Sequence, residues 1–391
     1  MDALYLFYAL LAVFLVYGAK VYGRKQWNED CFSLKQTKAL LGFTTVLIFL
    51  HHASQKTGAP WHENRYIVHG LDIFVPYGYL FVAVFLFVSG FGLYRSVKSK
   101  QGYLDHFIRR RILPVVIAFY VSEILYTVVR ALMGQKMDLK QVLIYLSGAQ
   151  LANSNAWYAV VIPFFYLLFW AAFRFIKKDG LSLAVVWLGT LAYTAAGILT
   201  DHNDWWLTGE WWYNSIWMFP MGMMFARFEK PVTRALKKLW PLWILLAAAA
   251  TVVFARLSAG AVDQWWGYYG ETWRDPNKLL HRAGCCLLQW MTCLSFVSTL
   301  FLLLMKVRIG NPLLSFFGAV SLEFYLMHGL FVELFGYSFL DLVKPLVYIR
   351  SIPLYLLVTL PCSVAATLLF KLLITPLNKR LKGAGLPPAG K

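Results

Sequence analysis

The sequence predicts an all-α fold, a polytopic integral membrane helix bundle, and three observations carry that expectation. Hydrophobic residues make up 59% of the 391 residues and charged residues only 14%, against roughly 45–50% and 25% in soluble globular chains. The apolar residues gather into runs close to the 20 or so that a spanning helix needs. The 37 Lys and Arg fall between those runs, with a strong bias to alternate sides. Together these exclude a soluble enzyme, a disordered chain and a disulfide scaffold. A net charge of +18 would suggest nucleic acid in a soluble protein. In a multi-span chain it is explained by basic loops that set orientation, and no nucleic-acid partner is expected. Cys31, Cys285, Cys286, Cys293 and Cys362 have no metal-ligand spacing, and most lie in apolar runs, where a thiol behaves as a small hydrophobe.

Eleven spans are expected. The first, 3–20, begins MDALYLFYALL. It has neither a basic leading segment nor a small-residue cleavage site, so it reads as a retained helix rather than a signal peptide. The second, 39–55, ends in His51-His52, and the third, 74–94, contains Ser89-Gly90-Phe91. The fourth, 112–133, opens after Arg109-Arg110-Arg111 with Pro114 in its first turn, where proline is tolerated. The others are 157–173, 181–200, 212–226, 239–256, 284–305, 312–337 and 352–375. With the N-terminus outside and strict alternation, 26 of the 37 basic residues lie in the inner segments, which predicts a cytoplasmic C-terminus. The longest outer stretch, 257–283, is too short for a soluble domain, and the Gly/Pro-rich tail, 381–391, is expected to be flexible. No P-loop, GxGxxG or Gly-x-Ser-x-Gly motif occurs, so any chemistry must sit among the helices.

Ionisable residues inside spans are costly and are functional candidates by default. His51 and His52 end their span, Glu123 lies within VIAFYVSEILYTVV, and Glu323 and His328 share SLEFYLMHGLF. Each could instead fix helix packing through a hydrogen bond. Adjacent helical residues point about 100° apart, so one of His51 and His52 faces a given site. Lys38, fourteen residues before His52, lies near the same helical stripe at the inner end. A neutral imidazole is the usual proton acceptor near neutral pH, and an inner cation suits an anionic cytoplasmic ligand. Arg109, Arg110 and Arg111 at a helix N-terminus would suit phosphate, or simply anchor topology. Trp205, Trp206, Trp211, Trp212, Tyr213, Trp217, Trp265, Trp266, Tyr268 and Tyr269 crowd the outer side. They read first as an interfacial belt and second as stacking surfaces for sugar rings. His62, Glu63 and His69 have no diagnostic metal spacing, and no metal is expected.

In order along the chain, TKALLGFTTVLIFLHH, FVAVFLFVSGF, FIRRRILP, NSNAWYAVVIPFFYL, FPMGMMFARF and NPLLSFFGAVSLEFYLMHG resemble the acyltransferase family 3 membrane proteins, which O-acylate surface glycans and other acceptors. The resemblance covers roughly 33–380. It implies a ten-helix core, with 1–32 as an extra N-terminal span and inner loop and 381–391 as a tail. It makes His52 the candidate catalytic base and matches Gly318, Ser321, Tyr325 and His328 to the family's late Gly-x-x-Ser…Tyr-Leu-x-His element. Glu123 and Glu323 are alternatives for orienting the His52 ring. Lys38, Ser89, Arg109, Arg110 and Arg111 are the donor-side candidates. Two positions depart from the family pattern. Leu41 stands where a Lys or Arg is usual, which leaves Lys38 as a substitute, and Ile108 stands at the first position of the usual Arg-x-x-Arg pair. The resemblance implies an acyl-CoA donor, acetyl-CoA foremost, at the cytoplasmic face, and a hydroxyl of an extracytoplasmic glycan or lipid-linked sugar as acceptor, in a multi-pass cell membrane protein. The competing expectations are a transporter or flippase for a lipid-linked saccharide, and a non-catalytic member of the fold.

Overall fold

The computed structural model describes residues 2–200, 202, 205, 207–262, 277–337 and 346–383. Fourteen α-helices run through them: α1 (Asp2–Val16), α2 (Leu34–Gln55), α3 (Gly78–Ser99), α4 (Leu113–Leu132), α5 (Leu139–Ser147), α6 (Trp157–Phe175), α7 (Asp179–Leu199), α8 (Met218–Arg227), α9 (Glu229–Lys238), α10 (Trp240–Gly260), α11 (Lys278–Leu304), α12 (Pro312–Ala319), α13 (Ser321–Leu334) and α14 (Ile352–Gly383). The chain is an all-α, multi-pass membrane protein. Among the described residues seven helices are long and apolar enough to cross a bilayer, built on α3, α4, α6, α7, α10, α11 and α14, or eight if α12 and α13 form one broken span. Large apolar side chains on α10 (Leu245, Leu246, Val252, Val253) and α14 (Leu357, Leu369, Leu372, Leu373) stand exposed, as a lipid-facing surface requires.

Seven of the eleven expected spans, or eight with the broken pair, are matched among the described residues by helices long and apolar enough to cross a bilayer, and each difference has a local cause. α1 stops at Val16, fifteen residues long, because Gly18 turns the chain with φ of 72°, a conformation glycine adopts without a Cβ clash. α2 is 22 residues long, but Lys35, Gln36, Lys38, Thr44, Thr45, His51 and His52 make it too polar for lipid, and it is buried by protein instead. The 212–226 run yields a short 3₁₀ turn and the ten-residue α8. The 312–337 run breaks at Val320, where α12 and α13 meet at 86°. α14 continues past the expected end at 375 to Gly383. The flexible-tail expectation for 384–391 lies outside the described residues.

α2 is the central helix and packs against α3, α12 and α13. Its start is capped by the Ser33 hydroxyl, which accepts from the Gln36 N–H at 3.3 Å. At the crossing of α2 and α12 a Cβ on Gly42 would overlap the Leu314 carbonyl, and one on Gly318 would overlap that of Lys38. Glycine at both positions lets the two backbones touch, a common device between membrane helices. Gln36 adds a two-way bridge, donating to the Ile309 carbonyl at 2.6 Å and accepting from the Ile309 N–H at 3.0 Å.

The N-terminal segment is tied to the same end of the core. Strand β1 (Lys20–Val21) pairs antiparallel with β2 (Val307–Arg308). Asn311 caps α12 and donates to the carbonyls of Phe14 and Tyr17. Lys306 donates to the carbonyls of Gly23, Arg24 and Gln26 and lies 3.6 Å from the centre of the Trp27 ring. The ammonium meets every donor need without a carboxylate.

Candidate active site

α2 and α13 bring His52 and His328 together. Their rings lie nearly parallel, with centroids 4.9 Å apart, and Nδ1 of His52 is 2.6 Å from Nε2 of His328. Nδ1 of His328 is in turn 2.8 Å from the Phe324 carbonyl, one turn back on α13. The proton positions follow from the end of this chain. A carbonyl only accepts, so His328 carries its proton on Nδ1. In a neutral ring that leaves Nε2 as an acceptor, and Nδ1 of His52 must donate to it. The lone pair of His52 therefore sits on Nε2, to which no described residue bonds. A histidine held in one tautomer by a second buried group, with its other nitrogen open, is the arrangement a general base requires.

His52 lines the larger of two cavities that share a wall. The smaller, about 300 Å³, is lined mainly by apolar side chains from α2, α3, α4, α6 and α13, with Arg111, Thr45, Ser89, Tyr158, Tyr166, Ser321 and Tyr325 as its polar members. The larger, about 520 Å³, is lined by His51, His52, Lys56, Asp72, Asn155, Trp157, Glu210, Trp211 and Glu333 among others. Ile48, Val82 and Tyr325 line both and so form the wall between them. On α2 Leu41, Thr45 and Ile48 line the smaller cavity, and Ile48, His51, His52 and Gln55 line the larger; Leu41, Thr45, Ile48 and His52, at helical spacings of four, three and four, make one continuous stripe. The Tyr325 hydroxyl accepts from the Tyr158 N–H at 3.2 Å, which leaves its own proton to donate.

The structure separates the sequence candidates. The ring nitrogen of His52 that a carboxylate was expected to hold is held by His328 instead. Glu123 is fully buried but accepts from the backbone N–H groups of Ala152 and Asn153, at 2.6 and 3.3 Å. It fixes the turn before α6, and Asn153 extends that link to the Leu326 carbonyl of α13. Glu323 stands half-buried in the first turn of α13. Ser89 lines the smaller cavity and hydrogen-bonds the Tyr166 hydroxyl at 2.8 Å. Arg109, Arg110 and Arg111 form a single wide π turn ahead of α4, and of the three only Arg111 lines the smaller cavity. Such turns recur at functional sites. Lys38 is exposed and outside the lining, whereas Leu41 is within it. Fourteen residues leave a helix about 40° short of a whole number of turns, while eleven overshoot by only about 20°.

His51 also lines the larger cavity, but its Nδ1 lies 2.9 Å from the Phe74 carbonyl and its ring packs against Gly78. His62 bonds the Gln55 carbonyl at 2.6 Å. The described outer aromatics do not form a belt as a group. Trp212, Tyr213 and Trp217 are core residues, Trp211 lines the larger cavity, and Trp205 is exposed. Trp206, Trp265, Trp266, Tyr268 and Tyr269 lie outside the described residues. Asn155, Glu333, Asn214 and Gln289, which also line the larger cavity, escaped the sequence reading. The only signal for Gln289 was a lone amide within the apolar run CCLLQWMTC.

With this geometry in place, comparison with known families adds one finding. The model of the family Acyl_transf_3, described as an acyltransferase domain, matches residues 39–368. That is most of the chain, and the chain belongs to this family. Neither a curated relative nor a solved structure matches it.

Proposed function

We propose that this member of the acyltransferase family is a membrane O-acyltransferase. It moves an acyl group, acetyl in the first instance, from cytoplasmic acyl-CoA to a hydroxyl of an extracytoplasmic glycan or lipid-linked sugar. The observation that carries the reading is the open Nε2 of His52, a ring held by His328 in the wall of a cavity that shares Ile48, Val82 and Tyr325 with a second one. The donor enters the smaller cavity past Arg111, whose guanidinium pairs with its phosphates; Arg109 and Arg110 add positive potential at the approach, and Ser89 lies along the path. The acceptor occupies the larger cavity. His52 Nε2 takes the hydroxyl proton as the oxygen attacks the thioester carbonyl carbon. The tetrahedral oxyanion accepts a hydrogen bond from Tyr325. The C–S bond then breaks, and the imidazolium returns its proton to the leaving thiolate. Products are the ester and free CoA, and His52 ends neutral as it began. The basic residues clustered at the α3–α4 connection, Arg95, Lys98, Lys100, Arg109, Arg110 and Arg111, support a cytoplasmic side for Arg111, and an odd number of crossings then gives an outside N-terminus and a cytoplasmic C-terminus.

The test is incubation of the purified full chain with labelled acetyl-CoA and a membrane glycan fraction. Alkali-labile label in the glycan, absent with His52→Ala, supports the proposal. Movement of a lipid-linked sugar across vesicles with no label incorporated would replace it with transport.

A further inference from the structure

Asn214 and Gln289 are buried amides whose side-chain oxygens the described residues leave unpaired. Asn214 follows the 3₁₀ turn Glu210–Trp212, and Gln289 lies midway along α11. They are 1% and 3% exposed, and the side-chain oxygen of each lacks a hydrogen-bond partner among the described residues. Buried polar groups in native proteins are nearly always paired, because an unpaired one destabilises the fold. Two such amides line the same cavity as His52, together with the indoles of Trp157 and Trp211. The charged residues lining that cavity, among those described, are Lys56 beside Asp72, Glu210 and Glu333. Arginine, the side chain that reads carboxylates and phosphates best, is not among them.

We infer that Asn214 and Gln289 are the acceptor-reading subsite, and that its ligand is the uncharged pyranose ring of a saccharide. An amide offers one acceptor and two donors, the complement of neighbouring ring hydroxyls, and an indole offers an apolar face to the C–H side of the ring. One hydroxyl is thereby held at His52 while others occupy the amides. The subsite deepens the acyl-transfer reading and rests on it for the fate of the bound sugar; binding is measured separately from transfer.

The experiment is equilibrium dialysis of the full chain in detergent against radiolabelled methyl glucoside, methyl galactoside and methyl N-acetylglucosaminide. The variants are Asn214→Leu, Gln289→Leu and the pair, each with a thermal melt. The wild type should bind at least one glycoside saturably. Each single variant should weaken that binding about tenfold and the double variant about a hundredfold. The melting temperature should hold or rise, because an apolar side chain replaces an amide whose oxygen had no partner among the described residues. Unchanged affinity in the double variant, no saturable binding of any of the three to the wild type, or a fall in melting temperature alongside the loss of binding would each overturn the subsite. Amide-dependent binding with no acetyl transfer from acetyl-CoA would leave the subsite standing and remove the acyltransferase reading instead.

Discussion

Replacing His328 tests the central geometry most directly. In His328→Ala the Nδ1–H of His52 loses its acceptor at 2.6 Å in a site where both rings are buried. A buried donor left unpaired costs about 1–3 kcal/mol, and that cost falls on the tautomer that presents its lone pair on Nε2. At about 1.4 kcal/mol per factor of ten, kcat should fall roughly 5- to 150-fold. The loss should be smaller than that from His52→Ala, which removes the base outright. The donor KM should not move, since His328 does not line the smaller cavity. Alanine also leaves a void beside Phe324, whose ring stacks on His328 at 5.4 Å, so the second variant is His328→Gln. Its amide oxygen replaces Nε2 as acceptor, and it should recover a large part of the lost rate. The assay is thiol release from acetyl-CoA by reconstituted protein with a fixed glycan acceptor, beside a thermal melt. Wild-type kcat in His328→Ala would refute the positioning role. A His328→Gln variant that melts like the wild type yet is as slow as His328→Ala would show that packing, not the hydrogen bond, explains the loss.

The remaining predictions concern the other groups around the two cavities. His52→Ala should lower kcat by about 10² to 10⁴, measured by the same thiol release. His51→Ala should cost far less, because its ring bonds the Phe74 carbonyl; the reverse ranking would move the base to His51. Tyr325→Phe should lower kcat about a hundredfold with both KM values steady, as for loss of one oxyanion donor; an unchanged kcat would remove Tyr325 from the chemistry. Arg111→Ala should raise the acyl-CoA KM about tenfold or more, while Lys38→Ala, exposed and away from the cavity, should stay within about twofold of wild type. If Lys38→Ala abolished transfer instead, donor binding would run along a face of α2 other than the Leu41 stripe. Gln101→Cys, in the exposed turn after α3, should react with a membrane-impermeant maleimide only in inside-out vesicles, and labelling from outside would invert the donor side.

The sequence by itself determined the class of the protein and the residues worth watching. Composition and run length require helices in a membrane, because a bilayer leaves a spanning backbone almost no other way to satisfy its own hydrogen bonds. The ordered motifs pointed to the acyltransferase family, and the cost of ionisable groups in apolar runs singled out His52, His328 and Glu123. Partnerships were beyond its reach. His52 and His328 are 276 positions apart, and nothing local in either run shows that they touch or that Glu123 spends its carboxylate on the turn before α6. Span number also depended on tertiary packing. α2 carries polar residues that would be costly in lipid but are harmless where α3, α12 and α13 cover it. The 312–337 run reads as one apolar stretch, yet it turns by 86° at Val320, which sets α12 against α2 through Gly42 and Gly318 and carries His328 on α13 to His52. Hydropathy counts residues one at a time, whereas a site is a set of directions, and only the packed helices fix where each side chain points.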